Sequence, residues 1–222
     1  MPADNGEDDV EYAFEAASRS TPRVDRDRAK ERWSSSTMTR SMTGTLERFE
    51  DAVRGATAST HRATPETIGS VLSELLVEPA VGAPPPFDDV SLADLPVSVA
   101  TEPTRQQLLE ASTGVTGAIL GIASYGSVVL RSTADVDELV SLFPDRHVVL
   151  VRDRDVVDDM AAAFDDLVPL IADERADAIV ATGPSATADM GALVYGVHGP
   201  TEVHVVVVRT DSHAADGTGG TG

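Results

Sequence analysis

Residues 178–209 read A-I-V-A-T-G-P-S-A-T-A-D-M-G-A-L-V-Y-G-V-H-G-P-T-E-V-H-V-V-V-V-R, and this stretch decides the fold. Ala178 to Ala181 is a short apolar run of the length of a buried strand. The turn Gly183-Pro184 follows, with Ser185 and Thr187 placed to cap a helix running from Ala186 or Thr187 to Tyr195 and stopping at Gly196. A second turn, His198-Gly199-Pro200, leads into His204-Val205-Val206-Val207-Val208, a β-branched run without alternation. Such a strand is apolar on both faces and belongs in the middle of a sheet covered on both sides. The reading is a β-loop-α-loop-β unit whose first loop aims backbone N–H groups and short hydroxyls at one place.

Upstream, the same alternation repeats. Leu46 to Arg54 suits a helix with Leu46, Phe49 and Val53 on one face, and a short strand follows near Thr57 to His61. Thr64-Pro65 opens a helix whose stripe is Ile68, Val71, Leu72, Leu75 and Leu76. Pro84-Pro85-Pro86 marks a surface loop. Val97 to Val99 reads as a strand, Thr104 to Ser112 as a helix, and Val115 to Ala123 and Val128 to Leu130 as apolar segments around Tyr125-Gly126-Ser127. Val136 to Leu142 is a short helix, His147 to Val151 a strand, and Val156 to Ile171 a long amphipathic helix. Strands alternating with helices imply an α/β fold: an open, mostly parallel sheet with helices on both faces. Ligands in such folds sit at the carboxyl ends of the strands, where the Thr182–Thr187 loop is expected. The organisation is an N-terminal extension over 1–44, partly helical or disordered, an α/β domain over 45–210, and a Gly-, Ala- and Thr-rich tail over 211–222. Val10–Ala17 and Arg26–Trp33 have the length of short helices with Trp33 available to dock, but a loosely ordered arm is the favoured reading.

Composition limits the chemistry. The chain has 222 residues, 41% of them hydrophobic, and no cysteine. Disulfides, thiolate nucleophiles and iron–sulfur clusters ligated by this chain's own thiolates are therefore excluded. No apolar run reaches the roughly 18–20 residues of a membrane span, and the acidic start Met1-Pro2-Ala3-Asp4 is unlike a signal peptide, so a cytoplasmic protein is expected. Asp plus Glu number 37 against 17 Lys plus Arg, a net charge of −20. Acids spread along the whole chain fit adaptation to concentrated salt, in which self-repulsion is screened. The same surplus argues against nucleic acid as a partner.

The candidate site residues each carry two readings. Gly183, Ser185 and Thr187 at a helix start would bind an anion, or would only cap the helix. Asp189 would stand in its first turn, where a carboxylate is favoured, or would brace the loops. His198, in a Gly-bounded turn at the same edge, is the acid–base candidate, or bonds its own loop. Gly126 and Ser127 form a tight turn able to approach a ligand. Ser127 has no evident base in its segment, which weakens it as a nucleophile. His204 and His147 begin strands and read as structural. His198 and His204 make no metal site, having no third ligand close in sequence, so no metal is expected. Asp158-Asp159 reads as a solvated helix face.

These residues also carry a resemblance. Gly183 to Asp189 (G-P-S-A-T-A-D), Gly196 to Pro200 (G-V-H-G-P) and the strand from His204 are similar to the closing signature of the LUD-domain family, in its lactate-utilisation protein C-like branch. Thr113 to Leu130, T-G-V-T-G-A-I-L-G-I-A-S-Y-G-S-V-V-L, resembles the family's central segment, and Ser141 to Val151, S-L-F-P-D-R-H-V-V-L-V, resembles a third block. The resemblance implies the fold shared by sugar-phosphate isomerases and CoA transferases. It also implies an accessory subunit in L-lactate (2-hydroxy acid) oxidation to pyruvate, with iron–sulfur oxidoreductase subunits as partners holding all clusters. The alternative is an independent isomerase- or CoA-transferase-like enzyme acting on a phosphorylated or CoA-linked substrate. The chain departs from the family at Ile119 and Ser124, where acids are usual.

Overall fold

The computed structural model describes residues 35–132, 137–174, 177–189, 192–196 and 198–210. The N-terminal helix candidates, the role of Trp33 and the C-terminal tail lie outside these residues. The chain divides into two units, Met1–Thr39 and Arg40–Gly222, and the second carries the sheets and the candidate site.

Its frame is a six-stranded sheet, all neighbours parallel, in the order β1-β12-β7-β4-β2-β3. The strands are β1 (Ser59–Ala63), β2 (Ala80–Gly82), β3 (Val99–Ala100), β4 (Thr113–Gly117), β7 (Arg146–Arg152) and β12 (Glu202–Val208). The run that ends in Val208 lies between β1 and β7, as its lack of alternation requires: Val205 to Val208 are at most 2% exposed. On one face Val206, Val208, Val148 and Leu150 pack with Ile68, Leu72 and Leu75 of α2 (Ile68–Leu75) and with Phe87, Val90 and Leu92 of the following loop. Helix α2 starts three residues after the expected Thr64 cap, because Thr67 Oγ1 accepts the Thr64 N–H at 2.8 Å and sets a turn first.

The other face meets a second sheet, which the sequence pattern did not announce. Strands β5 (Leu120–Ile122), β6 (Ser127–Ser132), β8 (Val156–Val157) and β9 (Asp177–Ala181) pair in the order β8-β5-β6-β9. Val128, Leu130, Ile179 and Ala181 from it close on Val149, Val151, Val203, Val205 and Val207, with Phe49 and Val53 of α1 (Ser35–Gly55) completing the layer. Helix α5 (Met160–Glu174) covers the outer side through Ala163 and Leu167. Helices α3 (Arg105–Glu110) and α4 (Asp137–Leu142) pack Leu108 and Val140 on Val81. The described residues include no helix long and apolar enough to cross a membrane.

One element is corrected outright. The residues assigned to a helix after Gly183-Pro184 form an antiparallel strand pair, β10 (Ala186–Asp189) with β11 (Ala192–Tyr195), registered Ala186↔Tyr195 to Asp189↔Ala192. A ten-residue Ala-rich segment has little helical stability of its own, so cross-strand backbone pairing decides its form. Asp158 and Asp159 are exposed as expected but precede the helix; Asp158 accepts from Thr45 Oγ1 at 2.5 Å and pairs with Arg48, tying α1 to the start of α5.

Candidate functional site

After β9 the chain turns at Thr182–Ser185, runs out and back through β10 and β11, turns again at His198–Pro200 and enters β12. The two turns face one another. The Ser185 N–H donates to Pro200 O at 2.9 Å, and the Gly196 N–H donates to Ser185 O at 2.9 Å. Ser127 Oγ lies 2.6 Å from Thr182 Oγ1, joining the β5–β6 turn to the first of them.

A cavity of about 260 Å³ opens between these turns. Thr182, Gly183 and Ser185 line it from the first turn, His198 and Gly199 from the second, and Gly126 from the third. Ser141 and His147 line it from α4 and β7. The cavity thus gathers Gly126, Gly183, Ser185 and His198, four of the residues singled out in the sequence, while Ser127 reaches it only through its hydrogen bond to Thr182. Thr187 and Asp189 lie on β10, paired with Val194 and Ala192, and not at a helix start.

Three physical expectations change. With no helix here, no helix dipole is available to an anion. The Ser185 amide, one of the donors the loop was to present, instead holds the two turns together. The glycines, moreover, fit the protein's own backbone. Gly183 has φ 62°, and a Cβ there would stand 2.1 Å from Ala56 O; Gly126 has φ 65°, and its Cβ would stand 2.3 Å from Val53 N. Both let their loops lie against the C-terminal end of α1. What remains for a ligand is a set of hydroxyls and two imidazoles.

The imidazoles differ. His198 is exposed at the mouth. His147 is 3% exposed, its Nε2 2.7 Å from Thr116 Oγ1, and burial pushes its pKa down to about 4. It is therefore neutral near pH 7 and offers one donor and one acceptor. His147, Thr182 and Ser141 were not among the candidate site residues, Thr182 being named only as the start of the loop. His147 was visible only as a strand start, and its Thr116 partner is set by the β4–β7 register, which places Gly114 opposite His147.

The two sheets meet the cavity with opposite edges. His147 and Val203 stand at the amino ends of β7 and β12, so the cavity lies at the amino edge of the parallel sheet, although Thr182 follows the carboxyl end of β9 in the smaller sheet. At the carboxyl ends of β2, β3 and β4 lies a second cavity of about 600 Å³. Pro84–Pro86 form one wall and Thr101–Pro103 another; Gly117, Ile119, Arg131 and Asp137 complete it. Gly117 lets the proline loop close in: a Cβ there would be 2.3 Å from Pro86 Cδ. Arg152, buried over the Phe87 ring at 4.6 Å and paired with Asp89, anchors the same loop. Ile119 stands in this second cavity where the resemblance leads one to look for an acid. The strand-end rule would have found this place had the strand order been legible.

The LUD-domain family profile matches residues 83–208. The chain is 30% identical over 173 residues to lactate utilization protein C of Deinococcus radiodurans, covering 73% of this chain and 79% of that protein. It is 35% identical over 118 residues to the protein of the same name from Bacillus licheniformis, covering 50% and 48%. For the Bacillus subtilis protein the figures are 33% over 107 residues, 45% and 43%, so the chain spans about half the length of the two Bacillus relatives or less. In structure it resembles a DUF162 family protein from Deinococcus radiodurans, with a TM-score of 0.58, 20% identity and coverage of 75% and 98%, a likeness of fold. The chain belongs to the LUD-domain family.

Proposed function

We propose that this chain is an accessory LUD subunit in the oxidation of lactate, or a related 2-hydroxy acid, to pyruvate, and that its amino-edge cavity holds a small organic anion. The observation that carries the reading is the convergence of Thr182, Ser185, His147 and His198 on one cavity of about 260 Å³. A carboxylate and an adjacent hydroxyl need several short hydrogen-bonding groups and little else, and the hydroxyls and imidazoles supply them. The names of the relatives point to lactate. With no cysteine in the chain, the electrons leaving the substrate pass to clusters held by iron–sulfur partner subunits. The subunit works in the cytoplasm, in concentrated salt. A net charge of −20 would repel an anion in dilute buffer, but at 1 M salt the screening length is only about 3 Å.

Calorimetric titration with L-lactate and pyruvate in molar KCl tests the pocket, and co-purification from the native host tests the complex. Binding weakened about tenfold by Ser185→Ala and by His198→Ala, together with co-elution of an iron–sulfur protein, is the expected result. Unchanged affinity in both variants would reduce the two turns to a brace. A second reading, an independent isomerase- or CoA-transferase-like enzyme, is favoured by one observation: the larger cavity at the carboxyl strand ends brings Glu102, Asp137 and Arg131 to one wall system. Turnover of a phosphorylated or CoA-linked substrate by the isolated chain would select it.

A further inference from the structure

On the α2 side of the sheet two imidazoles meet. His61 of β1 and His204 of β12 point the same way as Ala63 and Val206, and His61 Nε2 lies 3.2 Å from His204 Nδ1 with the rings tilted by 37°. We propose that His61 and His204 form a two-histidine binding site for a late divalent transition metal such as zinc, nickel or copper.

The 3.2 Å separation is within about 0.2 Å of what a shared metal requires. Two metal–nitrogen bonds of about 2.0–2.1 Å at a tetrahedral angle span about 3.3–3.4 Å between nitrogens. Imidazole is the ligand these metals favour. The far side of His204 fits as well. Its Nε2 is buried without a hydrogen-bond partner and stands 3.7 Å from Glu202 Oε2. A metal on Nδ1 fixes the proton on Nε2, polarises that N–H and draws it onto the carboxylate, the arrangement in which ligating histidines are oriented from behind. Glu202 is itself held: Arg146 Nε donates to its Oε2 at 2.8 Å, and Arg146 is anchored by donating to Leu75 O at 2.8 Å.

Both rings are available for ligation at neutral pH. Burial holds His61 below its usual pKa against the pull of Glu74 on α2, and burial, His61 and Arg146 hold His204 below its own against the pull of Glu202. Among the described residues no group of three or more His, Asp or Glu is placed to hold an ion, so water fills the remaining positions and exchange is open. The affinity belongs on the order of micromolar, far weaker than a closed structural zinc site.

The test uses the full chain, stripped with chelator, in molar KCl with excess Mg²⁺ to occupy surface carboxylates. Zn²⁺ titration followed calorimetrically should show one ion per chain, weakened at least about tenfold by His61→Ala or His204→Gln and about tenfold by Glu202→Gln. Copper bound to the unaltered chain should show coupling to two imidazole nitrogens by electron paramagnetic resonance, a readout that stands even if a variant misfolds. Absence of stoichiometric uptake, uptake kept by both histidine variants, or copper coupled to fewer than two nitrogens would overturn the proposal.

Discussion

The two edges of the parallel sheet are built on different terms. At the amino edge, two turns are locked together by backbone hydrogen bonds, a third joins them through the Ser127 and Thr182 hydroxyls, and glycines seat the loops against α1. At the carboxyl edge, an irregular proline loop leans on Gly117 and is held at one point by Arg152. The first cavity is shaped by backbone fit and should be intolerant of change; the second is shaped by side chains and one loop, and should yield. A fold whose ligands are sought at carboxyl strand ends has here placed its more tightly specified pocket at the opposite edge.

Glycine substitutions break the comparison most sharply. Gly126→Val forces a β-branched residue to φ 65° and drives a Cβ to 2.3 Å from Val53 N and 2.4 Å from Ala52 C. The neighbours are helix backbone and cannot turn aside, so a loss of about 3–5 kcal/mol in urea unfolding is expected. Gly117→Ala is the counterpart. Its contacts, Pro86 Cδ at 2.3 Å and Pro85 Cα at 2.6 Å, belong to a loop that can shift, and about 1–2 kcal/mol is expected. Equal losses at the two positions would abolish the distinction.

Acid sharpens it next. His147, at the amino-edge cavity, has its pKa lowered to about 4 in the folded chain by burial, against 6.5 for the free group. The unfolded chain therefore binds the proton first. Stability is whole above pH 6.5 and falls as the pH drops toward 4, by on the order of 3 kcal/mol. His61 and His204, also lowered, act in the same direction. A His147→Gln chain should show a clearly shallower fall between pH 6.5 and 4 in thermal melts. An unaltered slope would mean that His147 is hydrated in the folded state. An anion bound beside His147 would raise its pKa, so binding near pH 5 should also take up a proton.

What could be read in advance follows the same line. The Val205–Val208 run declares itself because burial on both faces removes alternation, and the Ile68–Leu75 stripe and Phe49 with Val53 because burial on one face imposes a helical period. The pairing of Ser185 with Pro200 and of Ser127 with Thr182 does not, since it depends on where chain segments arrive in space. Four of the seven candidate residues, Gly126, Gly183, Ser185 and His198, line the amino-edge cavity, although the reason offered for Gly183 and Ser185, a helix N-terminus, was mistaken: Ala186 to Tyr195 is too short for propensity to decide against strand pairing. The antiparallel setting of β9 on β6 is fixed by the path of α5, which leaves no mark on Asp177–Ala181 itself. His61 and His204 are 143 positions apart, beyond any spacing rule.

The smallest effect belongs to the carboxyl edge. Thr104, just past the Thr101–Pro103 wall, caps α3 reciprocally: its Oγ1 accepts the Gln107 N–H at 3.3 Å, and Gln107 Oε1 accepts the Thr104 N–H at 2.9 Å. Thr104→Ala removes one half of this box on an exposed helix and should cost about 1 kcal/mol. Because the cap adjoins the wall without forming it, hydrogen exchange should quicken at Gln107 and Leu108 while the amides of Thr182–Ser185 stay unchanged. Exchange rising at both edges together would mean that they unfold as one unit, and that the contrast between a locked edge and a yielding one is only a contrast of side chains.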